Sequence, residues 1–422
     1  MTYNTIGGFW SLVTIARRNI LRNVRRTVMC LVAVAIAVFF TIIMQSMMGG
    51  MMKGMEDVIQ IFDTGHVSIA SAEYEADKEY MPVQYPVAGG RSAAELEAAV
   101  RKIPGVKAVF PRISAFATLQ DSTIKHALLW GIRAEGEMAV NHFNMTDRNN
   151  GLVTGRFPEP SKRECAIGVS MAEKAALGIG DEVSFKTVSA QFSDKFYSPR
   201  VVGIYKFDYL KFDEDVILLD YDSLSRLLVM EDTVQQLFIF ADDPRQSKTI
   251  AAALSSLLGR TDVVREWRDN YFMVMMQQSM AIFYVIELMF LIVASFLIIN
   301  TVVMIIHERI KEIGMMGSLG MTRREIVQVF FFEALFLSIL GSLAGVFFGC
   351  LLTFIGSRFP LDFNAMTGGG MKEFPSAGTM FLEFSPGILA GSFCFGVVIA
   401  AICTLIPSLK SAFVEPVEAL RR

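Results

Sequence analysis

Few side chains in this 422-residue chain could perform chemistry, and they do not converge. The four histidines, His66, His126, His142 and His307, show no metal-ligand spacing to cysteines or carboxylates and read as surface or strand-end residues. Asp213-Glu214-Asp215 is an acidic cluster that reads as a solvated loop. No Gly-x-x-x-x-Gly-Lys-Ser/Thr loop is present to cradle a nucleotide phosphate, and no Gly-x-Ser-x-Gly elbow presents a nucleophile. No catalytic residue and no metal site is assigned, so the chain is not expected to be an enzyme.

Two carboxylates stand out because apolar sequence surrounds them. Ionisable groups inside a bilayer commonly mark ion or substrate routes. Glu287 precedes His307 by 20 residues, roughly 30 Å of helix at 1.5 Å per residue, which places it at an outer interface. Glu333 follows Arg324 by nine residues, roughly 13 Å, which places it at inner-leaflet depth. Pairing with a cationic neighbour or a helix end is the favoured reading of Glu333, ahead of proton transport.

The elements that must hold these groups are apolar. Hydrophobic residues make up 53% of the chain and charged ones 19%, against about 25% charged in ordinary soluble proteins; the mean hydropathy is +0.43. That balance excludes an ordinary cytosolic enzyme. Charge-free runs cover Thr27–Met52, Leu288–Ile306, Ala334–Ser357 and Phe384–Leu409. A helix needs about 20 apolar residues to cross the ~30 Å of hydrocarbon in a bilayer, so four transmembrane helices are expected. The first run, 26 residues long, exceeds the roughly 7–15 residues of a cleaved signal's apolar core.

Arg17, Arg18, Arg22, Arg25 and Arg26 precede the first run, and Lys410, Arg421 and Arg422 follow the fourth. The connection between the second and third runs adds Arg309, Lys311, Arg323 and Arg324. By contrast, residues 53–270 hold 25 basic and 32 acidic residues, and Arg358–Glu383 holds two and three. Lys and Arg gather on the cytoplasmic side of membrane helices, so both termini are expected inside and the large domain outside. The expected plan is an N-terminal elbow (1–26), helix 1 (27–52), an external domain (53–270), helix 2 (271–306), an inner loop (307–325), helix 3 (326–357), an outer loop (358–383), helix 4 (384–409) and an inner tail (410–422). Only Cys165 of the five cysteines lies outside the membrane runs. No disulfide can form within the external domain, and all five cysteines read as small buried hydrophobes.

The external domain reads as mixed α/β. Strands are expected at Val67–Ala70, Ala108–Leu119, Ala127–Ile132, Val183–Phe185, Val201–Lys206, Val216–Leu219 and Leu237–Phe240. Helices are expected after Ser92, whose spacing to Glu95 is that of a capping box, at Met171–Leu177 closed by Gly178, and at Pro244–Leu258. The alternation suggests βαβ-type packing, and turn formers suggest a change of subdomain near 150–165.

Gly341, Gly345 and Gly349 repeat every four residues in the third helix, as Gly387 and Gly391 do in the fourth. Such faces let helices approach closely, either within one chain or between subunits. In the inner loop, Ile313, Met316 and Leu319-Gly320 share one side of a short helix, with Glu308, Lys311 and Glu312 on the other. Gly320 stops it, and Thr322-Arg323-Arg324-Glu325 has capping-box form. Such a helix lies on the lipid surface or docks in a groove of a cytosolic partner.

These residues also carry a family resemblance. Glu308-Arg309-x-Lys311-Glu312-Ile313-Gly314, Gly320, Arg323-Arg324 and Phe332-Glu333-Ala334 resemble the signature of FtsX-like permeases, the membrane subunits of mechanotransmitting ABC transporters. Arg17-Arg18-Asn19-Ile20-Leu21-Arg22 resembles the family's elbow, and Glu415-Pro416-Val417-Glu418-Ala419-Leu420-Arg421 its tail. Gly65-His66-Val67, Gly155-Arg156-Phe157, Gly178-x-Gly180-Asp181 and Val202-Gly203-Ile204 resemble its MacB-like periplasmic domain.

The resemblance implies a four-helix inner-membrane permease with a periplasmic mixed α/β domain between helices 1 and 2. It implies a second permease copy or paralogue, membrane lipids, and a separate cytosolic ABC ATPase dimer that would bind ATP and Mg. No nucleic acid partner is implied. The ATPase contact would comprise Glu312, Ile313, Gly314, Met316, Leu319, Gly320, Arg323 and Arg324. Trp267 and Ala294–Asn300 look most like the lipoprotein-releasing (LolC/LolE-type) subfamily, whose cargo is a lipoprotein passed to a periplasmic carrier. Phe192, Phe196 and Tyr197 would then contact that carrier from a hook, unless Ser189–Pro199 is an ordinary hairpin loop. The other readings are MacB-like efflux and FtsX-like regulation of a periplasmic hydrolase.

Overall fold

The computed structural model describes residues 24–87, 92–120, 124–141, 151–207, 210–230, 232–258, 261–308, 310–318, 321–359, 361–362 and 379–411. The chain divides into a helical unit (Met1–Met51, Gln278–Leu361, Phe381–Arg422) and an α/β unit (Met52–Gln277, Asp362–Met380).

Helix α1 spans Val24–Ile59 and gives way to a five-residue π turn, Gln60–Thr64, which buries Phe62. Strands β1 (Val67–Ser71), β2 (Val106–Leu119), β3 (His126–Ile132), β4 (Gly151–Gly155), β5 (Glu164–Gly168), β6 (Phe185–Val188), β7 (Asp194–Tyr197), β8 (Arg200–Lys206), β9 (Val216–Asp220), β10 (Gln236–Ala241) and β11 (Asp262–Glu266) join one sheet. Its order is β11-β1-β10-β2-β3-β9-β5-β8-β4, with β6 on β2 and β7 on β6. Helices α2 (Ala93–Val100), α3 (Ala134–Asn141) and α4 (Ser247–Leu258) accompany it. The N-cap of α2 is Ser92, whose hydroxyl accepts from the Glu95 amide at 3.2 Å.

Several local expectations shift. The sheet is mixed: among the described residues β3–β9 and β5–β8 pair in parallel and the other ladders are antiparallel. Short connections such as 120–125 and 189–193 favour hairpins over crossovers. The fourth expected strand begins at Phe185 rather than Val183, and the helix expected at Met171–Leu177 is Val169–Ala175. Ala176 at φ +53°, not Gly178, closes that helix; the Gly178 amide instead donates to Asp181 Oδ2 at 2.7 Å. Asp213 is no solvated loop residue, because it is buried and accepts from the Phe207 amide at 2.8 Å. Cys394 is exposed, unlike buried Cys30, Cys165 and Cys403.

The α/β unit holds several apolar clusters. One joins Ile69, Leu96, Val109, Ile239 and Leu254, and a second joins Ile113, Leu129, Ile167, Phe185 and Leu219. A change of core falls along β2, between Val109 and Ile113. A third, aromatic cluster gathers Phe62, Tyr205, Phe207 and Phe212, with Trp130 beside it. Gly155 adopts φ +86°, and a Cβ there would lie 2.1 Å from the Val202 carbonyl oxygen, so only glycine permits the approach of β4 to β8.

Arg112 and Glu137 form an ion pair at 2.7 Å with both side chains almost wholly excluded from solvent. The guanidinium lies between the Trp130 and Phe238 rings, 5.0 and 4.8 Å from their centroids. Burial pulls Arg112 below its ordinary pKa and pushes Glu137 above its own, while their mutual attraction opposes both shifts. His66 immediately precedes β1, and its Nδ1 accepts from the Ala241 amide at 2.9 Å. Burial, with Lys107 nearby, holds this imidazole below its ordinary pKa.

Helices α5 (Tyr271–Glu308), α6 (Ile310–Ser318), α7 (Arg323–Arg358) and α8 (Pro386–Ser411) follow, with the short strands β12 (Leu361–Asp362) and β13 (Thr379–Met380) between α7 and α8. Four candidate membrane spans result: Thr27–Thr64, Tyr271–Met304, Arg324–Arg358 and Pro386–Leu405.

The buried ion pair generates a prediction. Removing one member of such a pair costs about 3–5 kcal/mol because a charge is left buried alone, whereas replacing both with apolar groups is often neutral. Glu137→Leu should therefore lower the thermal unfolding midpoint of the purified protein steeply, and Arg112→Met with Glu137→Leu should recover most of the loss. Equal destabilisation by the single and double variants would contradict this account.

Candidate functional site

Three places carry the residues singled out in the sequence. The first is the α6 region. Glu312, Ile313, Gly314 and Met316 lie on α6, Arg323 and Arg324 in the first turn of α7, and Leu319 and Gly320 outside the described residues. Lys311, Met315 and Ser318 are exposed along α6, and Gly314 is buried. The turn into α7 is fixed by a full capping box: the Thr322 hydroxyl accepts from the Glu325 amide, and the Glu325 carboxylate accepts from the Thr322 amide at 2.8 Å. Two amides of the helix start are thereby satisfied.

The second place is the helical bundle. Cβ atoms on Gly341, Gly345 and Gly349 would lie 2.8 Å from Val34 Cβ, 2.6 Å from the Ala35 carbonyl oxygen and 2.8 Å from Ile42 Cδ1. The stripe on α7 therefore packs against α1 within one chain. Gly391 of α8 faces open space, and Gly387 meets only Ser385. Glu287 accepts from Gln45 Nε2 at 3.0 Å, which ties α5 to α1. Glu333 is buried, 7% exposed, against a cavity of about 40 Å³ lined from all four membrane helices.

One contact of the bundle has only half a signature in the sequence. The segment 381–383 is held by the Glu383 amide donating to the Ser46 carbonyl at 3.0 Å and the Leu382 amide donating to the Gly356 carbonyl at 3.1 Å. A Cβ on Gly50 would sit 1.9 Å from the Phe381 carbonyl oxygen, and one on Gly356 would sit 2.5 Å from Leu382 Cδ1. The Gly49-Gly50 dipeptide is the visible signal, without its partner.

The third place is the β6–β7 hairpin. Phe192 sits at its tip with φ +56° and is 76% exposed, and Phe196 is 64% exposed. Tyr197 differs, being half-buried, 5.9 Å from the Phe185 ring and 5.6 Å from the Arg163 guanidinium. Strand alternation separates it from Phe196. The Ala190 amide donates to the Leu228 carbonyl at 2.9 Å, and Lys186 pairs with Asp194 at 2.8 Å, so two aromatic rings stand on a braced turn.

Among the described residues no group of His, Cys, Asp and Glu could hold a metal ion. His142 lies outside the described residues. His307 keeps its Nδ1 2.9 Å from the Val303 carbonyl oxygen.

Residues 27–257 match the family described as MacB-like periplasmic core domain, and residues 284–416 match FtsX-like permease C-terminal. The lipoprotein-releasing system transmembrane protein LolC of Neisseria meningitidis is 23% identical over 333 residues, covering 75% of this chain and 78% of that protein. The lipoprotein-releasing system transmembrane protein LolE of Haemophilus influenzae is 20% identical over 348 residues, covering 77% and 80%. The crystal structure of the periplasmic region of MacB from Actinobacillus actinomycetemcomitans is 13% identical with a TM-score of 0.33, covering 51% of this chain and 92% of that one.

The two glycine faces separate by substitution. Overpacking a close contact costs about 1–3 kcal/mol, so Gly345→Val should lower the melting midpoint of the detergent-extracted protein while Gly391→Val leaves it unchanged. Equal midpoints for the two variants would show that the α1–α7 contact does not set stability.

Proposed function

The chain belongs to the FtsX-like permeases that carry a MacB-like periplasmic core domain, and from that premise we propose that it is the membrane subunit of a lipoprotein-releasing ABC complex. It is an ABC transporter permease of the type of LolC, LolE and MacB. In the proposed complex it pairs with a second copy or a related permease in the inner membrane. Both termini face the cytosol, the α/β unit faces the periplasm, and a separate ATPase dimer binds ATP and Mg. The observation that carries the reading is the alignment of relatives named for lipoprotein release along three quarters of the chain.

In this mechanism closure of the ATPases displaces α6. The capping box at Thr322 joins that displacement to α7, whose glycine face is in contact with α1. The α/β unit moves in turn and lifts a lipid-anchored protein from the outer leaflet towards a carrier. Exposed Phe192 and Phe196 suit that carrier contact, since aromatic anchors dominate interface energetics; Tyr197 is committed to packing within the unit.

Two predictions test the two ends. Burying a leucine-sized side chain is worth about 1.5–3 kcal/mol, and a carboxylate in an apolar groove costs more. At about 1.4 kcal/mol per decade, Leu319→Asp should weaken ATPase affinity at least about tenfold at matched membrane expression. Undiminished copurification of the ATPase would refute the docking assignment and favour a helix lying on the lipid surface. At the other end, deleting residues 192–197 should abolish photocrosslinking of the periplasmic carrier with membrane insertion intact. Crosslinking that survives the deletion would make this an ordinary hairpin.

A further inference from the structure

His66 has no part in the mechanism above, yet it ties three stretches of the α/β unit together. Its amide donates to the Ile239 carbonyl at 2.9 Å, and its carbonyl accepts from the Trp267 amide at 3.3 Å. Its Nδ1 accepts from the Ala241 amide at 2.9 Å. Gly65 alone separates it from the π turn that follows α1, and Trp267 begins the short turn, Trp267–Asp269, that precedes α5. The chain enters the sheet and leaves it through one knot with an imidazole at its centre.

The ladder is irregular at the same spot. β10 and β2 pair Phe240 with Ala108 and Ala241 with Val106, so Lys107 is an extra residue bulged out of β2. A bulge disrupts ladder pairing and bends its strand, and beside this one the half-buried imidazole takes the Ala241 amide.

We infer that His66 is a proton-operated latch of the α/β unit, which holds the Ala241 amide while neutral and lets it go when a mildly acidic medium protonates Nδ1. Hydrogen-bond chemistry dictates this sign. A neutral imidazole has one donor and one acceptor nitrogen, whereas an imidazolium has two donors. With Nδ1 accepting, the proton of the neutral ring lies on Nε2. A second proton at Nδ1 would face the Ala241 N–H, donor against donor, and the bond must break. Ala241 is buried, so its freed amide carries the cost of an unmet donor.

The groups around the ring decide when this happens. Burial and Lys107 of β2 oppose a positive charge there and Asp243, just beyond β10, favours one; the balance holds the ring below its ordinary pKa. The Phe240 ring stands edge-on at 5.4 Å and adds no charge, and Glu266 of β11 is paired with Arg268 at 2.8 Å. The unfolded chain takes up the histidine proton near pH 6.5 while the folded one still resists it. Stability therefore falls as the pH drops below that point and levels off once the folded ring is charged. The latch's exposure to the acidity of the medium rests on the periplasmic placement proposed above, whereas its titration does not.

Nitrogen NMR of histidine-labelled, full-length permease in lipid nanodiscs tests the titration. His126, His142 and His307 are replaced by Gln, so that the label reports His66 alone. At pH 7.5 the spectrum should show the Nε2–H tautomer, and the ring should charge only below about pH 6.5. Thermal unfolding is then followed by tryptophan fluorescence at pH 7.5 and 5.5 in the wild type and in His66→Asn, whose side-chain oxygen accepts in place of Nδ1 but takes up no proton. Between the two pH values the wild-type midpoint should fall by at least about 2 °C more than that of the variant, the scale on which a domain of this size registers one lost hydrogen bond. An Nδ1–H tautomer at pH 7.5, or a ring that charges at or above about pH 6.5, would overturn the latch. Midpoints of wild type and His66→Asn that fall in parallel would overturn it too. Should His66→Asn fail to fold, the spectrum of the sole histidine decides alone.

Discussion

The contact between α1 and α7 governs the membrane part of this protein. In hydrocarbon there is no hydrophobic drive between helices, so association rests on van der Waals fit and interhelical hydrogen bonds. Three missing side chains at Gly341, Gly345 and Gly349 let the α7 backbone come against Val34, Ala35, Val38 and Ile42. Farther along the same helices, Gly49, Gly50 and Gly356 leave the gap into which the segment around Leu382 fits. Gln45 and Glu287 add a polar tie from α1 to α5.

The α/β unit solves a different problem. Its strands are short and its clusters separate, so a single long strand, β2, joins them by contributing Val109 to one core and Ile113 to the next. Arg112 stands at that crossing and pairs with Glu137 between two aromatic rings. A buried ion pair adds little net stability over an apolar substitute. Its demand for one particular geometry is stronger, because any misplacement of α3 against β2 leaves two charges unmatched. The pair thus discriminates between packings at the point where the two cores meet.

Much of this was legible in the amino-acid sequence where the determining neighbours are close in the chain. Charge-free runs marked the four membrane helices, Ser92 and Thr322 marked two helix starts, and the glycine repeat marked a close helix face. β-rich runs such as 108–119 and 201–206 announced central strands. β4, β5, β7 and β11 were not visible, because each is five residues or fewer and lies among turn formers or charged residues. Arg112–Glu137 joins residues 25 apart, and the Gly50–Phe381 approach joins residues far more distant, so neither can be read from local pattern. In the candidate site, alternation exposed Phe196 and turned Tyr197 inward, a distinction that depends on knowing the strand phase. The glycine stripe announced contact but not its partner, which only the folded bundle identifies as α1.

The π turn at Gln60–Thr64 turns chain length into a constraint. Five residues are spent where an ordinary helix would spend fewer, and the extra one rotates every later residue about the helix axis. An α-helix advances about 100° per residue, and Phe62 meets Trp130, Phe207 and Phe212 only at its present phase. From Met52 onward, the last turns of the helix therefore behave as a counted spacer within the α/β unit. Their letters can change wherever volume allows, but their number cannot, so descendants of this sequence should accumulate substitutions there more readily than insertions or deletions.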